Sequence, residues 1–314
     1  LAIKDMIIRL SILATATVSA LSIFGYFDHA HLLFELSTHF KLQYLVISLL
    51  CFFSFLFCRM YAWLVICIIC IAVNACFVIP WYLSPKDGSS SYPGDYLKII
   101  LSNVHAENTD YSGILMLVEK EKPDIVILLE VTDECLRQVS ELEKHFPFKI
   151  SRPRQDNFGI AMFSRIPWKK AEVIYLGKAD LPSVFADIDV NGKKFRLIGT
   201  HPAPPINKDL FDLRNDHIEE LSSFIEKQPT PVILAGDLNL TMWSSYYKKM
   251  IEKTGLKNAR KGFGLLPSWP TMFPAMMIPL DHFLFGPGFE VVDVRVAGSV
   301  GSDHLPVIAE FAVF

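Results

Sequence analysis

Three uncharged apolar runs constrain this chain before anything else does. Leu10–Phe27 covers 18 residues, Leu42–Cys58 covers 17 and Tyr61–Leu83 covers 23. A helix needs about 20 apolar residues to cross the hydrocarbon core of a bilayer, so all three qualify, the second with least to spare. Trp63, Trp81 and Tyr82 stand near the ends of the third run, where interfacial aromatics belong. The chain holds 30 basic and 33 acidic residues, yet only Lys4, Asp5, Arg9, Asp28, Glu35, Lys41, Arg59 and Lys86 fall within residues 1–86. The mean hydropathy of +0.33 is therefore a blend of two unlike parts. Residues 1–83 are expected to hold three transmembrane helices, at about 10–27, 42–58 and 61–83. Residues 84–95 form a Gly/Pro/Ser-rich linker, and 96–314 a globular region long enough for one large domain. A simple cytosolic enzyme, a disordered tail and a small disulfide scaffold are excluded.

Basic residues set the expected orientation. Lys4 and Arg9 precede the first run and Arg59 lies in the tight link between the second and third, which places them in the cytoplasm. Three crossings then leave the globular region outside. Val18-Ser19-Ala20 offers an alternative, a signal-peptide cleavage site, with the same final placement. Cys67 and Cys70 have C-x-x-C spacing but no accompanying His or second pair, and read as small apolar residues of a span. The globular region carries an acidic excess, unlike proteins that grip nucleic acid through phosphate contacts.

In the globular region strands alternate with helices. Strands are expected at 96–104, 124–130, 159–164, 231–235, 278–285, 290–296 and 306–311, with helices at 111–120, 133–145, 209–227 and 244–253. The stretches 184–190 and 194–200 flank Asn191-Gly192, a strong hairpin signal. Hairpins mixed with single helices favour a two-sheet sandwich with outer helices over a purely parallel sheet. Polar residues interrupt the strand ends: Asn103, Glu130, His201, Asp237 and Asn239 in AGDLN, Asp281 in PLDHFL, and Asp303 and His304 in GSDHLPV. Carboxylate and amide oxygens suit Mg²⁺ or Mn²⁺, and histidines suit proton transfer or anion stabilisation. No cluster has zinc spacing.

This ordered set resembles the endonuclease/exonuclease/phosphatase superfamily, the metal-dependent phosphoesterases similar to DNase I, over Leu97–Phe314. The resemblance implies a four-layer α/β sandwich, two packed mixed β-sheets flanked by helices, here preceded by the three transmembrane helices. It implies metal binding by Glu130 with Asn103 beside it and Asp303 nearby. It implies that Asp237 handles the attacking water with Asn239 as its hydrogen-bonding partner. His304, oriented by Asp281, would stand beside the scissile phosphate, and His201 would face the leaving group or a phosphoryl oxygen. Whether Asp237 or His304 is the base stays open. The chain departs from many members in having Leu129 before the metal glutamate and His105 two residues after the asparagine.

Other residues are expected to be structural. His282 points away from Asp281 on its strand. His105, His145 and His217 belong on the surface, Arg165 is structural, and Trp168, Trp243 and Trp269 pack. Arg214 and Asn215 on the long helix are weaker candidates for the cleft. The resemblance extends to a bacterial subset with three N-terminal spans and an external domain, connected with cell-envelope phosphates. The expected function is thus a Mg²⁺-dependent phosphoesterase of the bacterial inner membrane, acting on the periplasmic or extracellular side on a phosphate ester or pyrophosphate of a lipid-linked or other cell-envelope molecule. An anchored external nuclease and an inactive membrane sensor or scaffold are the alternatives.

Overall fold

A computed structural model describes residues 2–83 and 94–314. The expected linker falls mostly on 84–93, outside the described residues. The N-terminal part comprises α1 (Ala2–Phe24), α2 (Leu32–Thr38), α3 (Lys41–Cys58) and α4 (Tyr61–Val78). Ile3–Phe27, Lys41–Cys58 and Tyr61–Trp81 are long and apolar enough to cross a membrane. Inside these helices the polar side chains are spent on one another. Ser11 Oγ donates to Ser54 Oγ at 2.9 Å, and Asn74 Nδ2 donates to Ser22 Oγ at 3.2 Å. Cys67 and Cys70, three residues apart and so on one face of α4, meet Thr15 and Ser19 of α1 at 3.6 and 3.2 Å. Hydrogen bonds of this kind hold helices together where lipid offers no hydrophobic drive.

The C-terminal part is a sandwich. Its first sheet contains β1 (Asp95–Asn103), β2 (Ile125–Leu129), β3 (Phe148–Arg152), β4 (Ile160–Ser164), β11 (Phe289–Val296) and β12 (Val307–Val313), in the order β11-β12-β1-β2-β4-β3. The second contains β5 (Trp168–Leu176), β6 (Leu181–Val190), β7 (Lys193–Thr200), β8 (Val232–Asp237), β9 (Lys257–Asn258) and β10 (Asp281–Phe285), in the order β5-β6-β7-β8-β10-β9. Among the described residues only β1/β2 and β7/β8 pair in parallel. The predicted Asn191-Gly192 turn joins β6 to β7, both residues at positive φ as a type I′ turn demands.

Strand alternation builds the layers. Ile99 and Leu101 of β1 face Val184, Leu197, Ile233 and Phe283 of the second sheet across the central core. Ile100 points outward with Val126 and Leu128, onto α5 (Ser112–Glu121) and α6 (Asp133–Gln138). On the opposite outer face Ile198, Leu234 and Leu284 meet α7 (Lys208–Glu226) and α8 (Ser245–Thr254). That outer layer continues into Val78, Phe77 and Trp81 at the end of α4.

The helical part is thus docked on the sandwich, a closer arrangement than a tether implies. Trp243 Nε1 donates to Phe77 O at 3.0 Å, Ser245 N to Asp28 Oδ2 at 2.7 Å, and Gly262 N and Gly264 N to Trp81 O at 3.0 Å. These contacts come from the Asp28–Lys41 segment and the end of α4. Arg59 therefore lies at the far end of the α3–α4 hairpin, about 25 Å away at 1.5 Å of rise per residue.

Several sequence expectations are corrected. The strands β3, β5 and the two-residue β9, and the helix α2, were not foreseen. β3 and β5 are sheet edges whose sequences, FKISR and WKKAEVIYL, carry lysine or arginine between apolar residues, as exposed edges do. Residues 133–145 divide into α6 and a tighter 3₁₀ segment, Val139–Lys144. His217 is fully buried on α7, with Nε2 3.0 Å from Thr200 Oγ1, and burial pushes its ring down to about 4.

Candidate active site

Every one of the eight residues singled out by sequence lies at the same edge of the sandwich. The parallel pairs bring the C-terminal ends of β1, β2, β7 and β8 together, and β10 starts beside the end of β8. Asp237 and Asp281 are direct cross-strand partners. Two carboxylates so placed repel, and the side chain that resolves this is His304. Its Nδ1 is 2.8 Å from Asp281 Oδ2 and its Nε2 is 3.6 Å from Asp237 Oδ2. Burial opposes charge on this ring, but the two carboxylates outweigh it and hold the pKa well above the ordinary histidine value. Burial likewise opposes charge on Asp237. The His304 and His201 rings and the Asn239 N–H nevertheless keep its carboxyl well below the usual carboxylate range.

His201 closes the other side of Asp237. Its Nε2 is 3.5 Å from Asp237 Oδ2 and 3.3 Å from Asn239 Nδ2, and its ring lies against Phe158. His201 is buried, with its Nδ1 unpaired among the described residues. Asn239 donates its backbone N–H to Asp237 Oδ1 at 2.9 Å and its side-chain amide to Pro202 O at 3.0 Å.

The second group is carboxylate-rich. Glu130 Oε1 accepts from Asn103 Nδ2 at 2.8 Å, and Oε2 accepts from Ala106 N at 3.0 Å. Each oxygen keeps a free lone pair. Asp303 Oδ2 accepts from Trp269 Nε1 at 3.0 Å. Between them stands His105, its Nδ1 3.8 Å from Glu130 and 3.5 Å from Asp303. Asn103 Nδ2 also approaches Asp237 Oδ2 at 3.5 Å, which joins the two groups. Glu130, Asn239 and His105 all have positive φ, at 59°, 50° and 62°. Left-handed backbone at a non-glycine residue costs of order 1–3 kcal/mol, and its concentration here marks a site where geometry outranks local stability.

The family model for the endonuclease/exonuclease/phosphatase family matches residues 100–304, most of the chain. This chain belongs to that family. Its members are metal-dependent enzymes acting on phosphoester bonds. The solved structures agree on the fold. A zebrafish TDP2 carrying 14 humanising mutations superposes with a TM-score of 0.59 at 17% identity, covering 69% of this chain and 99% of that one. The human Nocturnin catalytic domain, with a bound sulfate, gives 0.56 at 18%, covering 71% and 98%. An endonuclease/exonuclease/phosphatase from Bacteroides vulgatus gives 0.58 at 15%, covering 70% and 100%. No curated protein sequence matches the chain.

Beyond the family motifs, the site has a brace of which sequence reasoning found only Arg214 and Asn215, as weaker candidates for the cleft. Arg214 Nη1 donates to Asn239 O at 2.7 Å and Nε to Asn215 Oδ1 at 2.8 Å. Arg214 is 0% exposed, and its Nη2 lies 3.3 Å from Glu35 Oε1, also 0% exposed, on α2. Glu35 Oε2 is 3.3 Å from His39 Nε2, and His39 Nδ1 is 3.0 Å from Thr241 Oγ1. Burial raises a carboxyl, but His39 and Arg214 more than offset it and hold Glu35 at about 2. The segment between the first two apolar helices thus braces the Asp237–Thr241 loop. A Glu and a His four apart between two apolar runs were the available signal.

The remaining candidates fall into place. His282 is buried, with Nε2 2.9 Å from Leu240 O and Nδ1 3.1 Å from Arg260 Nη1, and burial with the nearby Arg260 charge pushes it down to about 3. Arg165 lies over the Phe146 ring, on the outer face of the first sheet. Trp243 packs as expected. Trp269 does more, by bonding Asp303. His105 is half-buried within the site instead of on the open surface.

Proposed function

We propose that this chain is a membrane-anchored, Mg²⁺-dependent phosphoesterase that hydrolyses a phosphate ester or pyrophosphate on a lipid-linked molecule. We place it at the outer face of a bacterial inner membrane, with 1–83 as the membrane region and 96–314 as the catalytic domain. One loop carries this reading. Residues 269–277 begin at the site, where Trp269 bonds Asp303 and Thr271 N donates to Asp303 O at 2.9 Å. They end at the top of α3, where Gln43 Nε2 donates to Met277 O at 2.9 Å. Between these anchors Met272 is 76% exposed and Phe273 63%. An exposed apolar strip joining a phosphoester site to the mouth of a membrane helix suits a substrate with a lipid tail. The placement of Arg59 opposite the sandwich supports the external orientation.

The donor set fits a hard divalent ion. Glu130 and Asp303 face each other across His105 with lone pairs to spare, and Asn103 fixes Glu130. These residues would hold the ion, which neutralises phosphate charge and polarises the phosphoryl group. Asp237, Asp281 and His304 also lie close enough to bind a metal, their ligand atoms within 4.8 Å of one another. Both His304 nitrogens are already directed at these carboxylates, Nδ1 at Asp281 Oδ2 and Nε2 at Asp237 Oδ2, so we assign the three to proton chemistry. Asp237 stays ionised and orients a water. As the water oxygen attacks phosphorus and the bond to the leaving oxygen breaks, the water's proton passes to Asp237, and the leaving oxygen departs as an anion that takes a proton from solvent. The His304 imidazolium, kept charged by Asp281, stabilises the developing charge on a phosphoryl oxygen. His201 and Asn239 act as positioning residues for Asp237. The full chain, assayed in nanodiscs with Mg²⁺, should hydrolyse a polyprenyl pyrophosphate or phospholipid and lose that activity in Glu130→Gln. Efficient cleavage of duplex DNA without turnover of either lipid would replace this reading with an anchored nuclease.

A further inference from the structure

A second polar site lies away from the phosphoester cleft. Where the ends of the three apolar helices meet α8, an open cavity of about 190 Å³ is lined in part by Gly25, Tyr26, Lys41, Phe77, Ser245 and Lys248. Lys41 is 3% exposed, and its Nζ lies 4.9 Å from the centre of the Phe77 ring. Lys248 Nζ lies 5.6 Å from the same ring. Two ammonium groups therefore approach one aromatic ring. Among the described residues neither has an acceptor at hydrogen-bond distance or a carboxylate at ion-pair distance.

The carboxylate on the cavity wall is already engaged. Asp28 Oδ2 accepts from Ser245 N at 2.7 Å, and its Oδ1 is 3.9 Å from His29 Nδ1. The cavity thus has an excess of positive charge around a nearly buried lysine. Cation–π contact recovers only about 0.5–2 kcal/mol of the desolvation cost, and the single Asp28 carboxylate can balance at most one of the two ammonium groups. An anion is the missing partner. The level of the site says which kind. Lys41 opens α3, Tyr26 follows α1, and Phe77 is in the last turn of α4, so the cavity sits where apolar helix gives way to the polar domain. It is also smaller than the usual pocket for a whole small molecule, roughly 300 Å³ upward.

We propose that this cavity binds the headgroup phosphate of an anionic phospholipid, with Lys41 and Lys248 as its ligands. The proposal rests on the reading of the three helices as membrane spans.

The test uses the full chain, reconstituted in phosphatidylcholine vesicles with or without phosphatidylglycerol, then extracted for native mass spectrometry. The wild-type chain should retain phosphatidylglycerol in preference to phosphatidylcholine. Lys248→Gln, at an exposed helix position, should lower that retention about fivefold, the equivalent of the roughly 1 kcal/mol a basic residue contributes near an anionic bilayer. Lys41→Arg, which keeps charge in the buried position, should retain the lipid where Lys41→Gln loses it. Equal retention of both lipids, or an unaffected Lys248→Gln, would overturn the site alone. Displacement of the lipid by inorganic phosphate would reassign it to a soluble anion. A chain that stays in the aqueous phase with both vesicles would remove the membrane reading and this site with it.

Discussion

Replacing Glu35 with alanine tests whether the N-terminal helical part is structurally continuous with the candidate active site. The carboxylate lies 3.3 Å from Arg214 and 3.3 Å from His39, and both Glu35 and Arg214 are fully buried. After the substitution Arg214 keeps its bonds to Asn239 O and Asn215 Oδ1 but has no counter-charge. Removing one partner of a buried ion pair costs about 3–5 kcal/mol, because the survivor stays desolvated and uncompensated. Chemical unfolding of the full chain in detergent, followed by tryptophan fluorescence, should show that loss. Turnover should fall as well, because Arg214 holds the carbonyl of Asn239. The pH dependence has a definite sign. Burial raises the Glu35 carboxyl, but His39 and Arg214 bring it down from the ordinary 4.5 to about 2. A depressed carboxyl contributes stability that is complete above the unfolded value and lost as pH falls from about 4.5 through about 2. That segment of the acid-unfolding curve should vanish in Glu35→Ala. A change under about 1 kcal/mol with unaltered turnover would refute the bracing role.

Further outcomes follow from the same geometry. Asp281→Asn removes the carboxylate that holds His304 charged and aligned, and should lower kcat by about a hundredfold or more with little change in KM, measured on any turned-over substrate. Met272→Ser with Phe273→Ser should weaken turnover of a bilayer-embedded substrate several-fold while sparing a water-soluble phosphodiester; equal loss on both would show that the loop acts only through Asp303. Expression of residues 94–314 alone should give a less stable and less active protein than the full chain, since Arg214 and Trp243 lose their partners Glu35 and Phe77, and identical unfolding midpoints would contradict this.

Much of this architecture was legible in the residues. Apolar length gave the three long helices, alternation gave the central strands, and Asn191-Gly192 gave the hairpin. The polar strand ends gave eight candidate residues that the fold brings to one edge, because a rigid sheet edge is where side chains from distant sequence can meet. The edge strands β3 and β5 were hidden because their exposed faces carry the charges of ordinary loops. The pairing of Glu35 with Arg214 was hidden for a different reason. Glu35 reads as a solvated charge and Arg214 as no more than a weaker candidate for the cleft, and only tertiary packing across 179 positions of sequence turns them into a buried pair. Trp269 and His105 were underrated likewise, since their roles depend on the Asp303 loop folding back beside them.

The most direct test of the account is surface-dilution kinetics. The full chain, reconstituted in vesicles with Mg²⁺, is given a polyprenyl pyrophosphate at fixed bulk concentration while its mole fraction in the bilayer is varied. A site that meets its substrate at the membrane surface predicts a rate that follows mole fraction and disappears in Glu130→Gln. A rate that ignores mole fraction, matched by equal turnover of a soluble nucleic acid, would contradict it.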